Sequence, residues 1–152
     1  MYRKVLVGLD LSQESQQVLE RARSVAAADS EIHIVYVFEP VDAVYFGVVP
    51  YAPLVGGADS FEDSVRAEMK SRLDELGTQY QIPAAARHLI TGSPAAEMRR
   101  LAEDQSFDLI VVGTHGRAGV QLLLGSTANA VLHGAQCDVL AVRIKDQRSN
   151  SD

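Results

Sequence analysis

Apolar positions along this chain fall into two alternating kinds of pattern. Short continuous runs, RKVLVGL at 3–9, IHIVYVF at 32–38 and FDLIVVG at 107–113, read as strands covered on both faces. AARHLIT at 85–91 and CDVLAVRI at 137–144 add two more. Between the strands, apolar residues recur every three or four positions. Val18, Ala22, Val25 and Ala26 form one such stripe, and Phe61, Val65, Met69, Leu73 and Leu76 another. Ala95, Met98, Leu101 and Ala102 form a third, and Asn129, Ala130, Leu132 and His133 belong to a last helical stretch.

Turn chemistry sets the expected boundaries. Ser12 or Ser15 caps a first helix running to about Ala28, and Asp29-Ser30 makes the turn into strand two. The second helix covers 59–80, and Pro83 separates it from strand three. Gly92-Ser93-Pro94 supplies a turn, a cap and a first-turn proline for a helix to about Asp104. Ser126 opens the last helix, and Gly134 ends it as a left-handed cap. The prediction is β-α-β-α-β-α-β-α-β: a single α/β domain over 1–146, an open, mainly parallel five-stranded sheet with helices on both faces, and a polar tail at 147–152. Ligands of such sheets bind beyond the carboxyl ends of the strands, where strand order reverses. Asp10, Phe38, Gly92 and Gly113 are expected at that edge. The proline- and glycine-containing loop 39–58 also leaves from it, as a lid or as a contact surface for a protein partner.

Charge narrows the partners. The 152 residues carry a formal charge of −6, so no basic excess exists to grip nucleic acid or anionic lipid. Arg99-Arg100, beside Glu97 and Glu103, reads as a solvated helix face. The apolar run at the N-terminus meets Asp10 at once, unlike a signal peptide, and no stretch approaches the ~18 apolar residues that span a bilayer. A cytoplasmic protein is expected. The one cysteine, Cys137, excludes an internal disulfide and reads as a small core residue. His33, His88 and His133 share no ligand spacing, so they read as structural and no metal site is assigned.

The richest chemistry lies at 107–127, FDLIVVGTHGRAGVQLLLGST. A buried strand empties into a loop with Gly113, Gly116, Gly119 and Gly125, followed by Ser126 and Thr127 at a helix start. Glycine lets main-chain N–H groups converge on an anion, and a helix N-terminus adds its own donors, so the stretch can hold phosphate. Glycine is also the default residue of any strand-to-helix turn. The pattern is not a P-loop, since no GxxxxGK[ST] is present, and Gly113-x-x-Gly116-x-x-Gly119 lacks dinucleotide spacing. Arg117 can offer bidentate contacts to phosphate and His115 a proton-transfer group. Asp10 either fixes a turn or accepts from a ligand, with Mg2+ as a further partner. No catalytic pair can be named.

DLS after strand one and GTHGRAGVQLLLGST after strand four resemble the universal stress protein family, over nearly the whole chain. The resemblance implies strand order 3-2-1-4-5 in an adenine nucleotide alpha hydrolase-like fold, a homodimer, and in one branch bound ATP. By position, Leu9, Asp10 and Val37 would line an adenine pocket. Gly113, Gly116, Gly125, Ser126 and Thr127 would hold ribose and phosphates, with Val112 packing nearby. Residues 117–124 make this loop one residue shorter than the commonest ATP-binding pattern. Two functions follow. One is an ATP-binding regulator of the stress response, dimeric through 137–144 and at most slow in hydrolysis or in autophosphorylation at Ser126 or Thr127. The alternative is a nucleotide-free dimeric interaction protein.

Overall fold

In the computed structural model, which describes residues 1–39, 57–114 and 125–145, five strands form one parallel sheet. In chain order the elements are β1 (Tyr2–Gly8), α1 (Ser15–Val25), β2 (Ala26–Phe38), α2 (Gly57–Gln79), a 3-10 turn (Ala84–Ala86), β3 (Arg87–Thr91), α3 (Pro94–Asp104), β4 (Leu109–Gly113), α4 (Ser126–Gly134) and β5 (Asp138–Val142). The sheet order is β3-β2-β1-β4-β5, as the resemblance implies. Strand order therefore reverses between β1 and β4, where Val5, Leu6 and Val7 pair with Leu109, Ile110 and Val111.

Alternation along the central strands divides the core in two. Val5 and Val7 of β1 and Leu109 and Val111 of β4 pack with Val18, Leu19 and Ala22 of α1 and Met69 and Leu73 of α2. Leu6, Ile110 and Val112 face the other way, onto Ala95, Met98 and Ala102 of α3 and Ala128 and Val131 of α4. Leu6, Ile110 and Val111 are fully buried, as strands covered on both faces must be. Polar clamps close the rim. Asp108 accepts from the main-chain N–H groups of Arg3 and Lys4 at 2.9 Å each, tying β4 to β1. The Gln17 side chain exchanges two hydrogen bonds with the main chain of Lys145, pinning α1 to the segment after β5.

Several local expectations are corrected. The turn at Asp29-Ser30 does not form. Helix α1 stops at Val25, Ala26 turns extended and buries its methyl in the core, and β2 starts at once. Two steps along β1, Tyr2 to Lys4, then face five along β2, Ala26 to Glu31, and Asp29 and Ser30 lie in that irregular stretch. Neither Ser12 nor Ser15 caps α1; Glu14 holds the cap position. Gly134 is not left-handed either: α4 passes into extended Ala135 at φ −70°. Arg99 is half-buried, donating from Nε to the carbonyl of Ala95 and lying against Gly134. Cys137 is likewise only partly buried, at the rim of the α3–α4 side of the core.

Candidate functional site

Asp10 follows the carboxyl end of β1, at the reversal of strand order. Leu9 continues the ladder by donating to the carbonyl of Val35 at 3.0 Å, and the chain then folds back on the Asp10 carboxylate. Its Oδ1 accepts from Ser12 N–H at 3.0 Å, Ser12 Oγ at 2.6 Å and Ser15 Oγ at 3.2 Å. Ser12 is thus held in the turn that precedes α1, two residues ahead of the cap position at Glu14. The turn also holds Leu11 at φ 59°, a left-handed conformation uncommon for a side-chain-bearing residue, while Leu11 stays 92% buried (8% exposed). Ser15, 2% exposed, is the one buried polar residue of the described core and is satisfied by this carboxylate.

Across the reversal point stand the end of β4 and the start of α4. After Gly113, Thr114 N–H donates to the carbonyl of Val142 at 2.9 Å, and Ile144 N–H reaches Thr114 Oγ1 at 3.4 Å. Gly125 N–H donates back to the carbonyl of Thr114, so the far end of the glycine stretch returns to the strand end it left. Gly125 is the residue preceding the first turn of α4, and no side chain caps that turn. The N-terminus of α4, with Ser126 exposed and Thr127 half-buried, thus stands at the carboxyl end of β4, one strand away from Asp10. Uncapped helix N–H groups and their dipole favour an anion.

The remaining expected residues divide. Leu9, Val37 and Val112 are buried, at 8%, 8% and 4% exposure, and on different faces: Leu9 in the α1–α2 core, Val37 and Val112 in the α3–α4 core. Their side chains belong to packing, so main chain is what they bring to this edge. Gly113 is half-exposed, and a Cβ there would meet Ile144 at 3.3 Å. Gly116, Arg117, His115 and Gly119 lie outside the described residues, as does most of loop 39–58 and the tail 147–152. Asp10, Phe38, Gly92 and Gly113 all stand at the carboxyl edge, Gly92 N–H donating to the carbonyl of Phe38 at 2.9 Å. Two polar residues of this edge carried no sequence signal: Thr114, a lone threonine after a strand, and Arg66, one charge among many on α2.

Among the described residues no group of three His, Cys, Asp or Glu side chains could hold a metal ion, and no helix is long and apolar enough to cross a membrane. His33 and His88 come together, contrary to their separation in sequence: Nδ1 of His33 lies 2.9 Å from Nε2 of His88 on neighbouring strands. Burial pushes the Cys137 thiol above its usual range, against thiolate character.

Together these features define an α/β domain of the doubly wound kind, with polar groups gathered at the reversal of strand order, where such sheets bind ligands. Residues 1–143 match the model of the universal stress protein family, and the chain belongs to that family. Universal stress protein A homolog 1 of Coxiella burnetii is 39% identical over 146 residues, covering 95% of this chain and 99% of the relative. Among solved structures, hypothetical protein MJ0577 superposes with a TM-score of 0.79 at 20% identity, covering 97% of this chain and 99% of its own, a likeness of fold. A universal stress protein crystallised in complex with cAMP gives a TM-score of 0.60 at 26% identity over 93% of this chain and 97% of its own.

Proposed function

We propose that this protein binds an adenine nucleotide, ATP, between the ends of β1 and β4, and that occupancy sets the conformation or partner choice of a small cytoplasmic homodimer in the stress response. The observation carrying this reading is the uncapped N-terminus of α4, closed onto the end of β4 by the Gly125–Thr114 hydrogen bond and facing the Asp10 turn across the reversal point. The relative in complex with cAMP supports an adenine ligand on this fold. Asp10, with the main chain of Leu9 and Val37, would meet the base. Gly113, Gly116, Arg117, Gly125, Ser126 and Thr127 would meet ribose and phosphates, with Val112 as the floor. Mg2+, accompanying the nucleotide, would find the Asp10 carboxylate at this edge and would supply charge neutralisation to the phosphates.

No acid–base pair stands out around Ser126 or Thr127, so slow hydrolysis or self-phosphorylation is the most this site would support. A second reading, a dimeric adaptor without nucleotide that meets partners through loop 39–58, is favoured by the one-residue shortening at 117–124. Gentle purification, extraction of bound small molecules and mass spectrometry, followed by ATP titration of the emptied protein and of Gly116→Val, separates the two. Binding that is lost in the variant supports the nucleotide reading. No nucleotide and no binding leave the adaptor.

A further inference from the structure

The described cations of α2 behave in two ways. Lys70 pairs with Asp74 at 2.9 Å and Arg72 with Glu68 at 3.2 Å, each four residues away along the helix. Arg66 makes no ion pair among the described residues, although Glu62 and Asp63 precede it by one turn. Its side chain goes to the carboxyl edge of the sheet instead. Nη2 donates to Thr91 Oγ1 at 3.1 Å, at the end of β3, and the guanidinium carbon lies 5.6 Å from the ring centroid of Phe38, at the end of β2. Phe38 and Thr91 are register partners, so Arg66 bridges the two strand ends. Its Nε–H is buried and has no hydrogen-bond partner among the described residues.

An arrangement of this kind is poor for stability. A guanidinium carries five N–H donors, and one hydroxyl satisfies one of them, while a buried donor is left unpaired. A leucine or methionine would cover Phe38 without that cost. The aromatic face and the Thr91 hydroxyl do, however, hold the planar fork in one orientation, which is what bidentate recognition of an oxyanion requires. Thr91 accepts from Arg66, which leaves its own O–H to donate to the same ligand group. In a chain of net charge −6, a cation at the ligand edge with no carboxylate partner among the described residues is a specific feature.

We infer that Arg66, oriented by Phe38 and Thr91, is an oxyanion-binding subsite at the ends of β2 and β3, taking the phosphate or carboxylate of a small-molecule ligand. The subsite lies on the opposite side of β1 from the α4 N-terminus, so it does not depend on the nucleotide reading. A ligand reaching both would cross the end of β1 and carry two acidic groups or an acidic group and a base.

The test uses the full-length protein labelled with 15N-arginine. The Arg66 Nε–H resonance, identified by its loss in Arg66→Lys, is followed while inorganic phosphate or sodium acetate replaces chloride at constant ionic strength. Thermal unfolding of wild type and Arg66→Gln is measured in the same buffers. The expected result is a saturable shift of the Arg66 signal and a rise in Tm with anion. In Arg66→Gln affinity falls about tenfold or more and the Tm gain vanishes, while Tm without anion is kept. Saturation by phosphate alone assigns a phosphate ester; saturation by acetate as well assigns carboxylates too. Three results overturn the proposal: no shift with either anion, an undiminished Tm gain in Arg66→Gln, or loss of the fold in both variants without anion, which makes Arg66 structural. Failure of ATP binding would count against the nucleotide reading and leave this result standing.

Discussion

Nδ1 of His33 and Nε2 of His88 lie 2.9 Å apart, with the two rings within 13° of coplanarity, so one imidazole donates to the other across β2 and β3. Phe107 meets His33 edge-on at 4.9 Å and Lys4 lies over Phe107, which closes the pair into a partly apolar setting. Burial, and then Lys4, lowers the pKa of His33; Glu31 acts in the opposite sense. Burial, and then His33, lowers that of His88.

Acid therefore costs stability. In the unfolded chain both histidines protonate near the ordinary value of 6.5, while the folded pair stays neutral to lower pH. Protons then bind the unfolded state in excess, and stability falls with pH below about 6.5, by at most about 1.4 kcal/mol per unit per histidine. Urea unfolding between pH 8 and 5 should show this decline, and a less steep one in His88→Asn. Identical pH dependence in the two proteins would remove the pair as its source.

Asp10 has a structural role separable from any ligand. Asp10→Ala strips three hydrogen bonds and leaves Ser15 buried without its acceptor, so a loss of about 1–3 kcal/mol is expected. Asp10→Asn keeps an acceptor oxygen and should retain most of the stability. Chemical denaturation of both variants checks this, and equal losses would contradict it.

Gly8 is where β1 meets α3 and β4. A Cβ there would lie 2.3 Å from Met98 Sδ and 3.2 Å from Val112 Cγ1. The thioether can move, but Val112 is locked in the core, so Gly8→Val should cost about 1–3 kcal/mol by overpacking. A midpoint of denaturation equal to wild type would show that the α3 side repacks freely.

β5 lies at the edge of the sheet, with Ala141 exposed, and is the surface through which a dimer would form. Ala141→Asp would bring two like charges towards each other about a two-fold axis. Sedimentation equilibrium should find wild-type dimers and variant monomers; dimers of unchanged strength would place the interface elsewhere.

Much of the fold was legible because strand and helix periods differ and the turns are marked. The Gly92-Ser93-Pro94 boundary put α3 at Pro94–Asp104, as observed. Misreadings came where one tertiary contact outweighed a local signal. Asp29-Ser30 looks like a turn, yet burial of Ala26 starts β2 before it. Ser12 looks like a cap, yet the Asp10 carboxylate holds it in the turn before the helix, and α1 starts only after Glu14. The edge residues Asp10, Phe38, Gly92 and Gly113 followed from topology alone. Arg66 could not, because nothing in a helical charge pattern tells a solvated arginine from one laid across two strand ends.

The most direct test is calorimetric titration of the nucleotide-free protein with ATP, beside Gly125→Val. Gly125 sits at φ −59°, ψ 156°, which valine adopts without strain, so the substitution adds bulk at the α4 N-terminus without requiring a new backbone. The account predicts one ATP per chain at roughly micromolar affinity, weakened about a hundredfold or more in the variant. Absence of binding to the wild-type protein, or equal binding by both, would contradict it.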